Sequence, residues 1–161
     1  MMSSRPVPFA SRSATFRGGF SLAGPVTAVF ELFSPLGERR WVPGWSPELL
    51  HPPGVFWERG LIFRTREERG EAIWVVTMLD HQAHAVEYHR VEPGRYVARV
   101  TVECSAETEG VTAVRTAYRF IGLSEAGNAE IALMTGDAYR EKMERWRGWL
   151  GECLSREAPG R

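Results

Sequence analysis

The C-terminal stretch Ala129 to Leu154 constrains the fold more than any other part of the chain. Ala132, Gly136, Tyr139, Met143, Trp146, Leu150 and Cys153 recur at alternating spacings of four and three. At about 100° per residue they fall on one narrow stripe of a helix, with Asp137, Glu141, Glu144, Arg145 and Glu152 on the other side. Thr135 and Gly136 mark a break or a second start, with Thr135 as N-cap. Most of what precedes this helix reads as strand, and a sheet must cover its apolar face. The chain therefore reads as α+β, a curved antiparallel sheet closed by a long last helix.

The strands follow from alternation. Ala14, Phe16, Gly18, Phe20 and Leu22 share one face of a first strand that starts at Ser13. Gly24-Pro25 ends it, and Pro25 suits the first position of a short helix carrying Val26, Val29, Phe30 and Phe33. Ser34-Pro35 stops that helix. Pro47, Pro52, Pro53 and Gly54 read as irregular, and Val55 to Trp57 as a short, partly buried piece. From Leu61 the strand signal is continuous: 61–66, 72–79, 84–91, 95–106 and 111–123, joined by charged or glycine-bearing turns. The 72–79 strand is apolar on both sides and reads as central in the sheet or covered on both faces. On the next strands Tyr88, Tyr96, Ala98, Val100, Val102, Cys104, Val114, Tyr118 and Phe120 point inward. Arg95, Arg99, Arg115 and Arg119 point outward, where Glu87 and Glu103 can pair across strands.

The length of 161 residues fits one domain. Residues 1–12 read as a disordered lead-in, 13–154 as the domain and 155–161 as a tail. The formal net charge is zero, which argues against nucleic acid or an anionic membrane as partner. No apolar run approaches a membrane span. The N-terminal residues lack the apolar core of a signal peptide. Their arginines and serines would suit a transit peptide, but Pro6 and Pro8 oppose the amphipathic helix such peptides need. Cys104 and Cys153 are far apart and sit in apolar patterns, so a reducing cytoplasm is the expected compartment. Lys142 is the single lysine, a skew that reads as base composition.

The segment Ser34 to Trp45, SPLGERRWVPGW, places two tryptophans in a loop. Trp41 and Trp45 either anchor it on the core or line an opening. Glu38 beside them either pairs with Arg39 or Arg40 or serves as a general base of raised pKa. His81, His84 and His89 are close in sequence, but His84 and His89 have opposite parity on a strand, and nothing completes a metal site. Neither a metal nor a cofactor is expected. GxSxG, P-loop, GxGxxG and CxxC patterns are absent from the sequence.

Pro35, Gly37, Glu38, Arg39, Trp41, Gly44 and Trp45 resemble the P-x-GE-x-x-W-x-x-GW segment of bacterial proteins in the SRPBCC superfamily. This is the helix-grip group that includes START lipid-binding, Bet v 1-like and polyketide cyclase/dehydrase-like proteins. Trp74, the Glu92-Pro93-Gly94 turn, Tyr118 and Trp146 also fit. The resemblance implies a helix-grip fold, with one or two short helices after the first strand and a cavity between the sheet and the last helix. Its implied lining is Trp41, Trp45, Phe63, Trp74, Tyr88, Tyr96, Tyr118, Tyr139, Met143 and Trp146. The leading expectation is a binder of a small hydrophobic or aromatic molecule, as monomer or homodimer. The alternatives are a cyclase/dehydrase-like enzyme using Glu38, His84, Tyr88 or Tyr118, and a chaperone-activator-like interaction module. The fold does not choose among them.

Overall fold

A computed structural model describes residues 5–158. Seven strands form one antiparallel sheet: β1 (Ser13–Ala23), β2 (Glu48–His51), β3 (Ile62–Glu67), β4 (Gly70–Asp80), β5 (Ala85–Glu92), β6 (Tyr96–Thr108) and β7 (Val111–Gly122). Their order is β1-β7-β6-β5-β4-β3-β2. Successive strands from β2 to β7 are neighbours, and β1 adds to the far edge beside β7. The helices are α1 (Val26–Glu31), α2 (Glu125–Leu133) and α3 (Gly136–Glu157), with a 3-10 turn at Gly37–Arg40.

The alternation that marks the strands also sets their register. Phe63, Trp74, Arg90, Ala98 and Phe120 form one cross-strand row. Val76, Tyr88, Val100, Tyr118 and Phe16 form the adjacent inward row. A bulge between Val76 and Met78 interrupts β4 and helps the sheet curve. The concave face is the core, whose largest fully buried residues include Phe30, Phe33 and Phe63. β4 is interior to the sheet, between β5 and β3, which is the first of the two readings of its apolar run. It is not covered on both faces, since Ile73, Val75 and Thr77 on the convex side are only half-buried and no second layer lies over them among the described residues. Outside, Arg99 pairs with Glu87 at 2.7 Å and Arg115 with Glu103 at 3.0 Å. Arg95 instead reaches Glu130 on α2 at 2.5 Å.

The last helix is divided. Ser124 caps α2, with Gly127 N–H donating to its Oγ at 3.0 Å. Thr135 caps α3, its Oγ1 accepting from Ala138 N–H at 3.1 Å. Met134 between them is extended, so Ala132 and Gly136 drop out of the stripe and lie exposed. Tyr139, Met143, Leu150 and Cys153 are buried. Gly18 on β1 lets α3 approach closely: a Cβ there would lie 3.1 Å from the Tyr139 ring. The Tyr139 hydroxyl and Met143 sulfur both meet Thr116 on β7.

Four boundaries depart from the sequence reading. Glu48–His51 is a strand, paired to β3 despite the flanking prolines. Pro25 is the N-cap of α1 and not its first residue. Residues 155–157 continue α3, so the expected tail is shorter. Ala10 and Arg12 bond to Asn128, and Ser11 to Gly122, so this end of the lead-in is held against the domain. The disorder expected for residues 1–4 lies outside the described residues, as does the tail at 159–161.

Candidate functional site

The 34–46 loop is built around two indoles. Trp41 Nε1 donates to the Leu32 carbonyl at 2.6 Å, and Trp45 Nε1 donates to the Pro35 carbonyl at 2.7 Å. Ser34 Oγ accepts from Gly37 N–H at 2.9 Å and donates to the Glu31 carbonyl at 2.8 Å. Arg40 reaches out to Glu157 at the end of α3. With the backbone fixed this way, Glu38 turns inward under α3. It makes no ion pair with Arg39 or Arg40; Arg39 points to the Pro47 carbonyl instead.

Beneath α3 lies a cavity of about 230 Å³. The loop contributes Glu38, Val42 and Trp45 to its wall. The sheet contributes Trp74, Tyr88, Arg90, Val100, Val102 and Tyr118, and α3 contributes Lys142 and Trp146. Pro43, Gly44, Ser46 and Thr65 to Glu67 complete the lining. Drug-sized pockets run to about 300–1,000 Å³, so this one suits a smaller molecule, of roughly one ring. A second cavity of about 210 Å³ lies toward the N-terminal end of α3, with Phe16, Tyr96, Phe120 and Tyr139 in its wall. Arg90 and Lys142 line both cavities and so stand between them.

Several polar groups at this site lack an internal partner. The Tyr118 hydroxyl and the Glu38 carboxyl have no hydrogen bond to any described residue, while both residues line the cavity. Tyr88 is different: its hydroxyl donates to the Phe33 carbonyl at 2.7 Å and accepts from Trp57 Nε1 at 3.1 Å. Lys142 has no ion pair among the described residues; its Nζ lies 4.0 Å from the Tyr118 ring centre and 5.3 Å from that of Trp146. The Arg90 guanidinium lies 5.4 Å from the Trp74 ring and 5.9 Å from the Tyr96 ring. Aromatic faces attract these cations without neutralising them. Arg90 Nε is buried without a partner, and its nearest carboxylate, Glu92, is 3.7 Å from Nη2.

Burial sets the protonation. It raises the Glu38 carboxyl well above the usual carboxylate range, and Lys142 only partly offsets this. Burial and then the neighbouring Arg90 bring Lys142 down to about 7, against a smaller opposing pull from Glu38. Tyr88 and Tyr118 are raised, chiefly by burial. A carboxyl whose burial favours the protonated acid and an amine whose burial favours the free base therefore face one cavity. Such a pair can exchange protons with a bound molecule.

The sequence candidates divide into three groups. Trp45, Trp74, Tyr88, Tyr118, Trp146 and Glu38 meet at the main cavity, while Tyr96 and Tyr139 line the second. Trp41, Phe63 and Met143 line neither. Trp41 is buried with its edge toward Phe33 and Trp146, Phe63 stacks behind Trp74 at 5.5 Å, and Met143 packs on Thr116. His84 also lies away from both cavities. It sits in the β4–β5 turn at φ 53°, its ring edge toward Phe30 at 5.6 Å. Cys104 is buried, its thiol pushed up to about 12, and is inert. No cluster of three metal-ligating residues occurs among the described residues.

Lys142 and Arg90 are not among the sequence candidates, although spacing points to both. Lys142 is three residues after Tyr139 and four before Trp146 on the helix. Arg90 is two residues after Tyr88 on the strand and therefore shares its face.

A norcoclaurine synthase from Thalictrum flavum, in complex with dopamine and hydroxybenzaldehyde, superposes with a TM-score of 0.65 over 99% of this chain and 100% of its own, at 10% identity. Ara h 8.0201 gives 0.65 over 89% of this chain and 99% of its own, at 14% identity. An uncharacterised protein from Rhizobium leguminosarum gives 0.66 over 92% and 98%, at 19% identity. The fold is the helix grip that these structures share. No protein-family model matches the sequence, and no curated protein does. In this helix-grip domain the gripping helix is α3, and the cavity lies between it and the sheet. No described helix is long and apolar enough to cross a membrane.

Proposed function

We propose that this chain binds a small aromatic or compact hydrophobic molecule bearing one polar group, in the cavity beneath α3. The observation that carries the reading is the pairing of aromatic walls with unpartnered polar tips. Trp45, Trp74 and Trp146 offer ring faces, while Glu38, Lys142 and the Tyr118 hydroxyl meet the same space. An apolar pocket with a few placed polar groups is the usual form of a small-molecule site. A protein of the same fold holds dopamine and hydroxybenzaldehyde, both single-ring molecules. Both cysteines are free and buried, which suits a reducing cytoplasm.

Glu38 and Lys142 also favour a second reading, general acid–base catalysis of the cyclase/dehydrase kind. Of the catalytic candidates read from sequence, Glu38, Tyr88 and Tyr118 line the cavity. The interaction-module alternative has less behind it. The exposed large apolar residues among those described, Val7, Phe9, Leu50, Phe56, Met78, Leu123 and Leu133, are scattered along the sequence from the lead-in to α2.

Val102 tests the binding reading. It is buried on β6 and lines the cavity, so Val102→Phe adds bulk where the ligand would lie. Single-ring fragments found to raise the melting temperature of the natural chain are expected to lose affinity at least tenfold in this variant. Overpacking will cost about 1–3 kcal/mol of stability, so affinity is measured by calorimetry at a temperature where both proteins are folded. Unchanged affinity would place binding elsewhere.

A further inference from the structure

We propose that Lys142 captures a small aldehyde or ketone as an imine inside the main cavity. This rests on that cavity being a small-molecule site, and it names the class of molecule. The amine is placed for it. Lys142 lines the cavity, lies over the Tyr118 ring, and has no carboxylate in ion-pair contact among the described residues. Arg90 from β5 flanks the same space. A half-buried lysine against aromatic rings and next to another cation is activated as a nucleophile, because desolvation and the neighbouring charge both favour the free amine.

The charged groups that bear on Lys142 come from each side. Arg90 and Arg145 favour the free amine, while Glu38 from the loop and Glu67 at the end of β3 favour the ammonium. The Tyr118 and Trp146 rings also favour the ammonium. Burial and Arg90 prevail, and the amine titrates at about 7. At neutral pH roughly half of it is free, on the order of a thousandfold more than for an ordinary lysine.

The reaction balances without an added oxidant or reductant. The Nζ lone pair attacks the carbonyl carbon, a C–N bond forms, and the carbonyl π pair moves to oxygen. Proton transfer from nitrogen to that oxygen gives a neutral carbinolamine. Glu38, holding a proton, donates it to the hydroxyl oxygen; the C–O bond breaks, water leaves, and a protonated imine remains beside the Glu38 carboxylate. The aromatic walls hold the rest of the molecule.

Because Lys142 is the single lysine, the test reads one site. The full chain is incubated with benzaldehyde and sodium cyanoborohydride, which delivers hydride to the imine carbon and leaves a benzylated amine. Peptide mapping by mass spectrometry then separates Lys142 from the N-terminal amine. Labelling of Lys142 is expected at least tenfold faster in the folded chain than in urea, with a midpoint near pH 7. Val102→Phe is expected to slow it at least tenfold, and Glu38→Gln also at least tenfold. Benzyl alcohol, which cannot form an imine, reports binding alone through its effect on the melting temperature. If benzyl alcohol stabilises the chain but Lys142 labels no faster than in urea, the imine proposal falls and the binding reading stands. If neither is seen, both fall. Labelling that Val102→Phe leaves unchanged takes place outside the cavity and also overturns the proposal.

Discussion

Trp41→Ala is expected to lower stability by about 3–5 kcal/mol, as removal of a buried tryptophan does. Trp41 is 5% exposed, its indole nitrogen holds the Leu32 carbonyl, and its ring meets Phe33 and Trp146 at 5.6 and 5.4 Å. For a chain of this size the loss corresponds to a drop of roughly 6–20 °C in melting temperature. Trp45→Ala, four positions on, is expected to cost only about 1–2 kcal/mol. Trp45 is half-buried and gives part of its surface to the cavity, so its loss should weaken ligand binding more than folding. Denaturant unfolding of the two variants tests the distinction. Equal losses would mean that Trp41 is not core or that Trp45 is not mouth.

Lys142→Met is expected to stabilise the fold, and the gain should depend on pH. In the folded chain Lys142 titrates at about 7, whereas in the unfolded chain it titrates at about 10.4. Between those values the unfolded chain binds a proton that the folded chain has released. Stability therefore rises with pH through that window, and the full cost of the half-buried lysine is present below it. Each tenfold difference in proton affinity between the folded and unfolded chains is worth about 1.4 kcal/mol. Cavity hydration lowers the total, and methionine forfeits roughly 1 kcal/mol of attraction to the aromatic rings. A gain of about 1–4 kcal/mol at pH 6, shrinking to nearly nothing by pH 10, is expected from unfolding curves. Glu38 works in the opposite sense. Its folded carboxyl keeps a proton that the unfolded chain loses above the ordinary carboxylate range, so its contribution declines as pH rises from about 4.5 toward the folded value. A gain from Lys142→Met that does not vary with pH would show that the amine keeps an ordinary pKa.

The strands were legible because alternation is a two-residue period that burial on one face enforces. Tyr96 to Cys104 and Val114 to Phe120 point inward as their parity requires. The last helix was legible in its stripe, and Thr135 as its cap, but the break at Met134 excludes Ala132 and Gly136 from that stripe. β2 was hidden because prolines flank its four residues, while its pairing partner β3 lies about a dozen residues away. Trp41 and Trp45 could not be separated from sequence, since each indole anchors the loop and only packing decides which face meets the cavity. The cavity itself depends on how far α3 stands from the sheet, which Gly18 and the side chains around it set jointly. Lys142 was hidden for a different reason. Its rarity looks compositional, and a cation beside an apolar stripe usually extends to solvent. Here Arg90 and Glu38, far away in sequence, meet it at the same space.

The central claim is that a small molecule occupies the space between Trp45, Trp74 and Trp146. The six indole N–H signals of the natural chain report on it directly in a 1H–15N spectrum. Titration with single-ring aromatic fragments is expected to shift the signals of Trp45, Trp74 and Trp146 together and saturably, with Trp149 nearly unmoved. Fragments that leave those three signals in place, or that move all six to the same small extent, would contradict the claim.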